Sequence, residues 1–204
     1  MVKAVAFDYG RVLSLAPEDT VIDEIARLAG LDRKILEPLV WKYRGEFDRG
    51  TVTGRDYYRS LLALGGVEPG EEVIEQIVRL DLQSWTRINA GTVKLMEDVK
   101  NRGGCKLGIL SNMPQEFLDL ARKTIPAFAL ADAAVFSCEV GVIKPEPAIY
   151  CALFAVLDCP PEELVFFDDI QENVDAALAL GIRAFLWKDP ESAREELRRL
   201  NLPV

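Results

Sequence analysis

The sequence predicts an α/β fold in which a doubly wound, Rossmann-like parallel sheet carries an inserted bundle of four helices. Short apolar segments that end in polar residues alternate with amphipathic helical segments from residue 88 onward. That alternation is typical of a parallel sheet covered by helices on both faces. Between the first apolar segment and residue 88 the hydrophobic spacing is helical. We therefore expect a core of residues 1–14 and 88–204 and an insertion of residues 15–87.

The first strand and the helices of the insertion come first along the chain. Residues 2–7 form a short apolar run that ends at Asp8, as expected of a buried strand. Apolar residues then recur at helical spacing, and glycines stop the successive helices. The predicted helices are 17–28, one that begins at Asp32, one that Thr53 caps, and 69–80. Four helices with short joints predict a small bundle.

The second half of the chain supplies the remaining strands and the helices that cover the sheet. Each predicted strand is a short apolar run, and glycines such as Gly103 and Gly104 mark turns. Strands are predicted at 106–110, 133–136, 164–167 and 183–187, and helices at 92–100, 115–123, 148–157, 173–180 and 192–200. A loop is expected from residue 136 to Lys144.

Charge and composition exclude several classes of function. The chain has 204 residues, of which 33 are acidic and 24 basic, so its net charge is −9. This balance argues against nucleic-acid and membrane partners, because both present negative surfaces. The absence of histidine removes Ser–His–Asp triads, Cys–His pairs and His-ligated zinc. The cysteine spacing and the lack of a signal-peptide pattern lead us to expect a cytoplasmic protein.

Four of the predicted strands lead into residues that can carry chemistry. In chain order these residues are Asp8, Ser111 with Asn112, Lys144, and Asp168 with Asp169. In an open parallel sheet, ligands bind beyond the carboxyl ends of the strands, so these residues are expected to meet at one edge. Two adjacent carboxylates repel each other unless a cation is near. The pattern predicts a binding site that holds a cation.

Four segments in order resemble the motifs of the haloacid-dehalogenase-like hydrolase superfamily. They read FDYGRVL, ILSN, GVIKPEPAIY and VFFDDIQEN, and the helical insertion is similar in position to the cap domain of that superfamily. Within it, the chain resembles small phosphatases that act on sugar 1-phosphates and related monoesters. That likeness lies in the glycine two places after the first Asp, the stretch FDRGTVT and the ending FFDD.

The resemblance implies a covalent mechanism with Asp8 as the nucleophile. Asp8 would attack phosphorus to form an aspartyl-phosphate, and Lys144 would neutralise phosphoryl oxygens and keep Asp8 ionised. Ser111 would donate a hydrogen bond to a phosphoryl oxygen, with the amide of Asn112 nearby, and Asn173 would brace the metal loop. Mg²⁺ suits such an all-oxygen site. Its implied ligands are Asp8, the Gly10 carbonyl, Asp169, and Asp168 directly or through water.

One position departs from the phosphatase pattern. Most phosphatases of this superfamily carry a second Asp two residues after the nucleophile, as general acid and base, and this chain has Gly10 there. Positioned proton transfer typically contributes about 10²- to 10⁴-fold. Another carboxylate such as Glu18 or Asp19 can substitute, or the leaving group is acidic enough to depart unaided, as an anomeric hydroxyl or an enol is. The third alternative is a weak catalyst.

The insertion is expected to set substrate specificity. Residues 41–44 form a dense aromatic and basic cluster, in which Trp41 and Arg44 are the candidate substrate-binding residues. The alternative is an ordinary amphipathic helix whose aromatic residues pack in the bundle core. Trp85 and Trp187 are assigned to packing.

Three hypotheses of function follow. The first is an Mg²⁺-dependent phosphatase of a small phosphorylated metabolite such as a phosphosugar, acting as a monomer or homodimer. The second is a metal-free 2-haloacid dehalogenase that uses the same nucleophile; such enzymes typically carry Tyr two residues after it and lack an Asp pair in the last motif, whereas here Tyr9 follows directly. The third is a weakly active or inactive relative that only binds a partner, because Gly10 replaces the acid/base residue. Receiver domains of response regulators order their acidic residues differently.

Overall fold

Five parallel strands form one sheet at the centre of the core, and the computed structural model describes all 204 residues. The strands are β1 (Ala4–Phe7), β2 (Lys106–Ser111), β3 (Ala133–Phe136), β4 (Leu164–Asp168) and β5 (Arg183–Leu186). Their order is β3-β2-β1-β4-β5, which confirms the doubly wound α/β class. β1 is central, and the chain winds outward from it in both directions, so Asp8 follows the strand at the topological switch point where such folds bind ligands.

Four helices separate β1 from the rest of the core. They are α1 (Asp19–Ala29), α2 (Arg33–Arg49), α3 (Gly54–Leu64) and α4 (Glu71–Ser84). Asp32 and Thr53 cap α2 and α3 by accepting hydrogen bonds from backbone N–H groups, as N-cap residues do. The helices enclose their own apolar core, whose fully buried members include Phe47, Tyr58 and Leu62. We call this insertion the cap.

Helices cover both faces of the sheet. After the cap they are α5 (Ala90–Asp98), α6 (Gln115–Thr124), α7 (Ser137–Val140), α8 (Pro147–Leu157), α9 (Gln171–Ala179) and α10 (Pro190–Arg199). α5, α6 and α10 pack with Val5 and Phe7 on one face, while α8 and α9 pack with Ala4 and Ala6 on the other. None of the helices is both long and apolar enough to cross a membrane.

The expected loop before Lys144 contains a short helix instead. α7 begins at Ser137 directly after β3, and Gly141 ends it with a left-handed backbone at φ 71°. A single helical turn is too short for hydrophobic periodicity to reveal it.

Two chain segments that lie side by side connect the cap to the core. Ser14 and Ile88 form an isolated antiparallel bridge. The backbone N–H of Leu15 donates to the carbonyl of Arg87 at 2.7 Å, and Asn89 donates to Leu13 at 2.9 Å. The predicted domain boundaries at 14/15 and 87/88 fall in these two segments and stay a prediction.

The end of α2 rests on the core next to α7. The guanidinium of Arg49 lies 2.6 Å from the Glu146 carboxylate and also donates to the carbonyl of Gly141 at 3.1 Å. The N–H of Gly54 donates to Glu116 at 2.8 Å. Gly50 stands between these contacts with φ 79°, and a Cβ there would meet the backbone of Cys138 at 3.2 Å. Position 50 therefore needs glycine, because its backbone is left-handed and because a Cβ there would lie too close to Cys138.

We expect Gly50→Ala to destabilise the protein by at least about 1 kcal/mol more than Gly66→Ala. Both glycines are left-handed, at φ 79° and φ 86°, so both substitutions incur the same backbone cost. Gly66 has open space around its Cβ position, whereas Gly50 abuts Cys138. Urea denaturation of the two variants checks this, and equal losses would contradict the close approach of cap and core.

Candidate active site

The strand ends bring the predicted acidic residues together. Phe7 of β1 is in register with Ile109 on one side and Phe167 on the other, so Asp8 and Asp168 follow neighbouring strands at the same level. The N–H of Asp8 donates to the Phe167 carbonyl at 2.9 Å, which extends the ladder by one residue. One oxygen from each of Asp8, Asp168 and Asp169 lies within 4.8 Å of the others.

Lys144 lies at the centre of this acidic cluster. Its Nζ is 2.6 Å from Asp8 Oδ1, 2.6 Å from Asp168 Oδ2 and 3.2 Å from the carbonyl of Leu110, and the residue is only 4% exposed. Burial alone would lower the pKa of Lys144, but the attraction of Asp168 and Asp8 outweighs it and raises the pKa above its ordinary value. Lys144 is therefore a fixed positive charge against Asp8.

Asp168 is fully buried and already bonded through both of its oxygens. Oδ2 pairs with Lys144, and Oδ1 accepts hydrogen bonds from the N–H of Ile170 and from Asn173 Nδ2, both at 2.9 Å. Asn173 therefore braces this loop. Asp168 was predicted to serve a metal either directly or through water. Because both of its oxygens are already bonded to the protein, the arrangement favours contact through water.

Burial and crowding of like charges shape the acidity of the other two carboxyls. Burial, together with the charges of Asp168 and Asp169, raises the pKa of Asp8 to about 7, although Lys144 acts in the opposite direction. Burial and the charge of Asp168 also raise the pKa of Asp169, while Arg11, at 3.9 Å, opposes them. A cation between these groups would relieve the repulsion.

The Asn112 amide holds the Lys144 segment. Its Nδ2 donates to the backbone carbonyl of Lys144 at 3.0 Å, and its Oδ1 accepts from the backbone N–H of Lys144 at 2.8 Å. This amide was expected near phosphate, and in the structure both of its ends position Lys144 instead. Ser111 reaches the same edge of the sheet, but it is 1% exposed, does not line the cavity, and its Oγ lies 3.4 Å from the Asn112 carbonyl.

A cavity of about 510 Å³ opens between the cluster and the cap. Core residues Asp8, Gly10, Lys144 and Asp169 line its floor. The remaining lining residues come from the cap and from loops around it: Tyr9, Arg11, Trp41, Arg44, Gly45, Asp48, Trp85, Asn112, Met113, Pro114, Phe117, Ile170 and Asn173. Small-molecule sites typically measure about 300–1,000 Å³.

Trp85 packs against the main core, as predicted, but it also has a place in the cavity wall. Trp85 lies where the chain returns from the cap, and its ring lines the cavity. Its ring and that of Trp41 meet edge to face, with centroids 6.5 Å apart. Tyr9 donates its hydroxyl to the Trp85 carbonyl at 2.7 Å, which holds the residue against the loop after β1. Trp187, in contrast, packs against Phe7 and Phe167 as expected.

The two candidate replacements for the missing acid/base residue are wrong. Glu18 pairs with Arg87 and Asp19 with Arg33, both side chains are largely exposed, and neither lines the cavity. They lie at the start of α1, away from β1, because the chain leaves the sheet before the first cap helix begins. Gly10 itself lines the cavity, and a Cβ there would stand 3.6 Å from Trp85 and 3.9 Å from Asp8 Oδ2.

Arg44 lines the cavity but its charge is already matched. Its guanidinium lies 2.9 Å from Asp48 and 2.9 Å from Asp81, and only 12% of the side chain is exposed. The predicted role in binding substrate is therefore not supported by its contacts. Asp48 is the residue that the sequence analysis missed, although its spacing of four from Arg44 on one helix was a usable signal.

Comparison with known proteins places this arrangement in a family. The model of the haloacid dehalogenase-like hydrolase family matches residues 2–181, so the chain belongs to that family. The chain is 28% identical over 191 residues to the phosphatase MT3486 of Mycobacterium tuberculosis, covering 91% of this chain and 87% of that protein. The resemblance to this family that the sequence indicated is thereby confirmed.

Two solved structures share the fold. An enzyme of the same family from Bacteroides thetaiotaomicron, in complex with magnesium and inorganic phosphate, matches with a TM-score of 0.73 at 19% identity, over 93% of this chain and 96% of that one. The L-2-haloacid dehalogenase of Xanthobacter autotrophicus, with chloropropionic acid covalently bound, matches with a TM-score of 0.70 at 19% identity, over all of this chain and 85% of that one. At these identities the likeness establishes the fold alone.

Proposed function

We propose that the protein hydrolyses small phosphate monoesters with Mg²⁺, through an aspartyl-phosphate on Asp8. The observation that carries the proposal is the environment of Asp8. Its Oδ1 is held by the buried Lys144, and two further carboxylates lie beside it. That arrangement suits a nucleophile facing an anionic substrate.

The reaction proceeds by two displacements at phosphorus. An oxygen of Asp8 bonds to phosphorus while the bond from phosphorus to the leaving oxygen breaks, and water then releases phosphate from Asp8. Lys144 contributes by holding Asp8 in place and by offsetting negative charge close to the phosphoryl group, at a position fixed before the reaction. Asn112 and Asp168 keep Lys144 in that position from its backbone and its ammonium group.

The residues present fit Mg²⁺. The donor set is composed of oxygens, as Mg²⁺ prefers, and burial together with the repulsion of neighbouring carboxylates, which raise the pKa values of Asp8 and Asp169, favours a positive charge at this place. Asp8, Asp169 and the Gly10 carbonyl would hold the ion, with Asp168 acting through water. When bound, it supplies charge neutralisation for the nucleophile and the phosphoryl oxygens.

Metal-free dehalogenation is the weaker alternative. A dehalogenase needs no cation, and Asp169 would then add negative charge next to Asp8 with only the guanidinium of Arg11, at 3.9 Å, against it. Isotopically labelled water separates the two chemistries. In a dehalogenase, water attacks the carboxyl carbon of the ester and labels Asp8, whereas in a phosphatase it attacks phosphorus and labels the released phosphate.

The ease with which the leaving group departs narrows the choice of substrate. A phosphosugar, whose anomeric oxygen departs with little help, is the substrate that the sequence motifs favour, and this narrower assignment stays a prediction. Likewise, the alternative of an inactive relative predicts no turnover on any monoester. A screen of phosphate release over a panel of monoesters, with and without a chelator, tests both.

We expect Asp169→Asn to remove the response of the protein to Mg²⁺. In the unaltered protein, Mg²⁺ should raise the unfolding temperature, since a ligand that binds only the folded state stabilises it. The variant should show little such rise and lose at least about 100-fold in phosphatase activity. Asp175→Asn changes the same charge at an exposed position on α9 and is the matched control. An undiminished Mg²⁺ response in Asp169→Asn would contradict the proposed metal site.

A further inference from the structure

One side of the cavity is largely aromatic and apolar. Trp41 projects from α2 with 48% of its surface exposed, and Trp85 lies beside it behind Gly10. Phe117 and Met113 extend this surface from the core, and Ile170, half of which is exposed, borders it. A ring that enters the cavity therefore meets the flat faces and edges of two indoles.

Most polar side chains of the cavity are engaged with the protein, and the exceptions are Asp169 and the half-exposed Arg11. Arg44 is bonded to two carboxylates, Asn112 to the backbone of Lys144, and Asn173 to Asp168. Lys144 is shared between Asp8 and Asp168. A sugar that entered would exchange hydrogen bonds with water for few bonds with protein, and unmatched hydroxyls are costly to bury. The lining therefore disfavours a polyhydroxylated leaving group.

The surroundings of Gly10 also argue against an alcohol as the leaving group. No side chain projects from position 10, and the space beside Asp8 Oδ2 is bounded by the Trp85 ring rather than by a proton donor. Glu18 and Asp19 are paired with arginines and lie outside the cavity, and Asp48, the cap carboxylate that lines it, is bonded to Arg44. Position 10 therefore offers the leaving oxygen no proton, which an alcohol needs and a phenol does not.

The two indoles are also held in place, as a binding surface requires. Tyr9 anchors the backbone of Trp85, and Arg11 lies 5.8 Å from the centre of the Trp41 ring. Arg11 is itself fixed by a left-handed backbone at φ 57° and by donation of its N–H to Ser14 Oγ at 3.2 Å. The loop after β1 thus links the nucleophile to both aromatic rings.

We infer that the substrate is an aryl phosphate, whose ring lies against Trp41 and Trp85 and whose phenolic oxygen leaves without protonation. This inference rests on the proposed phosphatase function and deepens it. An oxygen of Asp8 bonds to phosphorus as the bond to the aryl oxygen breaks. The electron pair stays on that oxygen, and the phenoxide takes its proton from water.

Four monoesters separate recognition of the ring from the acidity of the leaving group: phenyl, benzyl, cyclohexyl and hexose 1-phosphate. The full-length protein with Mg²⁺ should turn over phenyl phosphate with a kcat/KM at least about 100-fold above that of cyclohexyl phosphate, since no proton donor assists the alcohol. Benzyl phosphate, which has the ring but an alcohol as leaving group, should lie between them. A value for hexose 1-phosphate or cyclohexyl phosphate equal to that for phenyl phosphate would overturn the inference.

Variants of the two tryptophans test the binding surface itself. Trp41→Ala, at a half-exposed position, should lower kcat/KM for the phenyl and benzyl esters about 3- to 10-fold and for the cyclohexyl ester by less, because a saturated ring cannot stack on the indole. Trp85→Ala should change kcat/KM for the three esters in the same way. Tyr43→Ala removes a neighbouring aromatic residue that does not line the cavity, and it should change none of the values. An equal loss for all the esters in Trp41→Ala would overturn the inference.

Introducing a carboxyl group at position 10 tests the inference independently. The backbone of Gly10, at φ −62° and ψ 127°, accepts any residue, and its Cβ position has ordinary contacts. Gly10→Asp should narrow the ratio of phenyl to cyclohexyl turnover about tenfold or more, because the alcohol then receives a proton. An unchanged ratio would overturn the claim that the leaving group departs unprotonated. Failure of the unaltered protein to release phosphate from any ester would reject the proposed phosphatase itself.

Discussion

Asp8→Asn should lower phosphatase turnover by about 10⁴-fold or more, because it removes the oxygen that bonds to phosphorus. The fold should survive, since Lys144 keeps Asp168 as its partner and the backbone of residue 8 keeps its bond to Phe167. Phosphate release under saturating Mg²⁺ is the measurement. Retention of more than a small fraction of the turnover would mean that another group, or water directly, attacks phosphorus.

The stability of the same variant provides its control. In the metal-free protein the folded-state pKa of Asp8 is about 7, above the ordinary value of 3.8. The folded state therefore binds more protons than the unfolded state between these pH values, and this contribution to stability is lost as the pH rises. Asp8→Asn has no such group, so its unfolding free energy should depend less on pH from about 4 to 7. Similar pH profiles would contradict the burial of an ionisable Asp8.

Lys144→Met should be the most destabilising substitution at the site. It leaves the carboxylates of Asp8 and Asp168 buried without the ammonium group that lies 2.6 Å from each. Removing one partner of a buried ion pair typically costs about 3–5 kcal/mol. Activity should fall together with stability, because the charge that faces the nucleophile is gone. Urea denaturation at neutral pH measures the loss.

A double variant distinguishes this electrostatic cause from lost packing. Lys144→Met alone leaves the buried charge of Asp168 without a partner. Combining it with Asp168→Asn removes that charge, so the double variant should recover part of the lost stability. The stability of Lys144→Met should also improve as the pH falls, because protonated carboxyls no longer repel. If the double variant is less stable than the single one by the full effect of Asp168→Asn, the loss comes from packing instead.

Much of the catalytic edge could be predicted from the sequence because it depends on local signals. Each strand is a short apolar run followed by a polar residue, and parallel topology then brings Asp8, Lys144 and Asp168 to one edge. The distances of 2.6 Å between Lys144 and both carboxylates agree with its predicted place near Asp8. The sequence did not predict that Asn112 and Asp168 would use their hydrogen bonds to hold Lys144 in position.

The cap side of the cavity was harder to predict because it depends on distant partners. Arg44 is neutralised in part by Asp81, which is 37 residues away and on another helix. Trp85 reaches the cavity because the returning segment pairs with the outgoing one at Ser14 and Ile88. Hydrophobic periodicity assigns a residue to a helix face, but it does not say which element that face will meet.

The stereochemical course at phosphorus tests the central claim most directly. The substrate is a phosphorothioate monoester that oxygen isotopes make chiral, and hydrolysis is carried out in labelled water. Two in-line displacements, first by Asp8 and then by water, should release thiophosphate with net retention of configuration. Net inversion would mean that water attacks the substrate directly, and it would contradict an aspartyl-phosphate at Asp8.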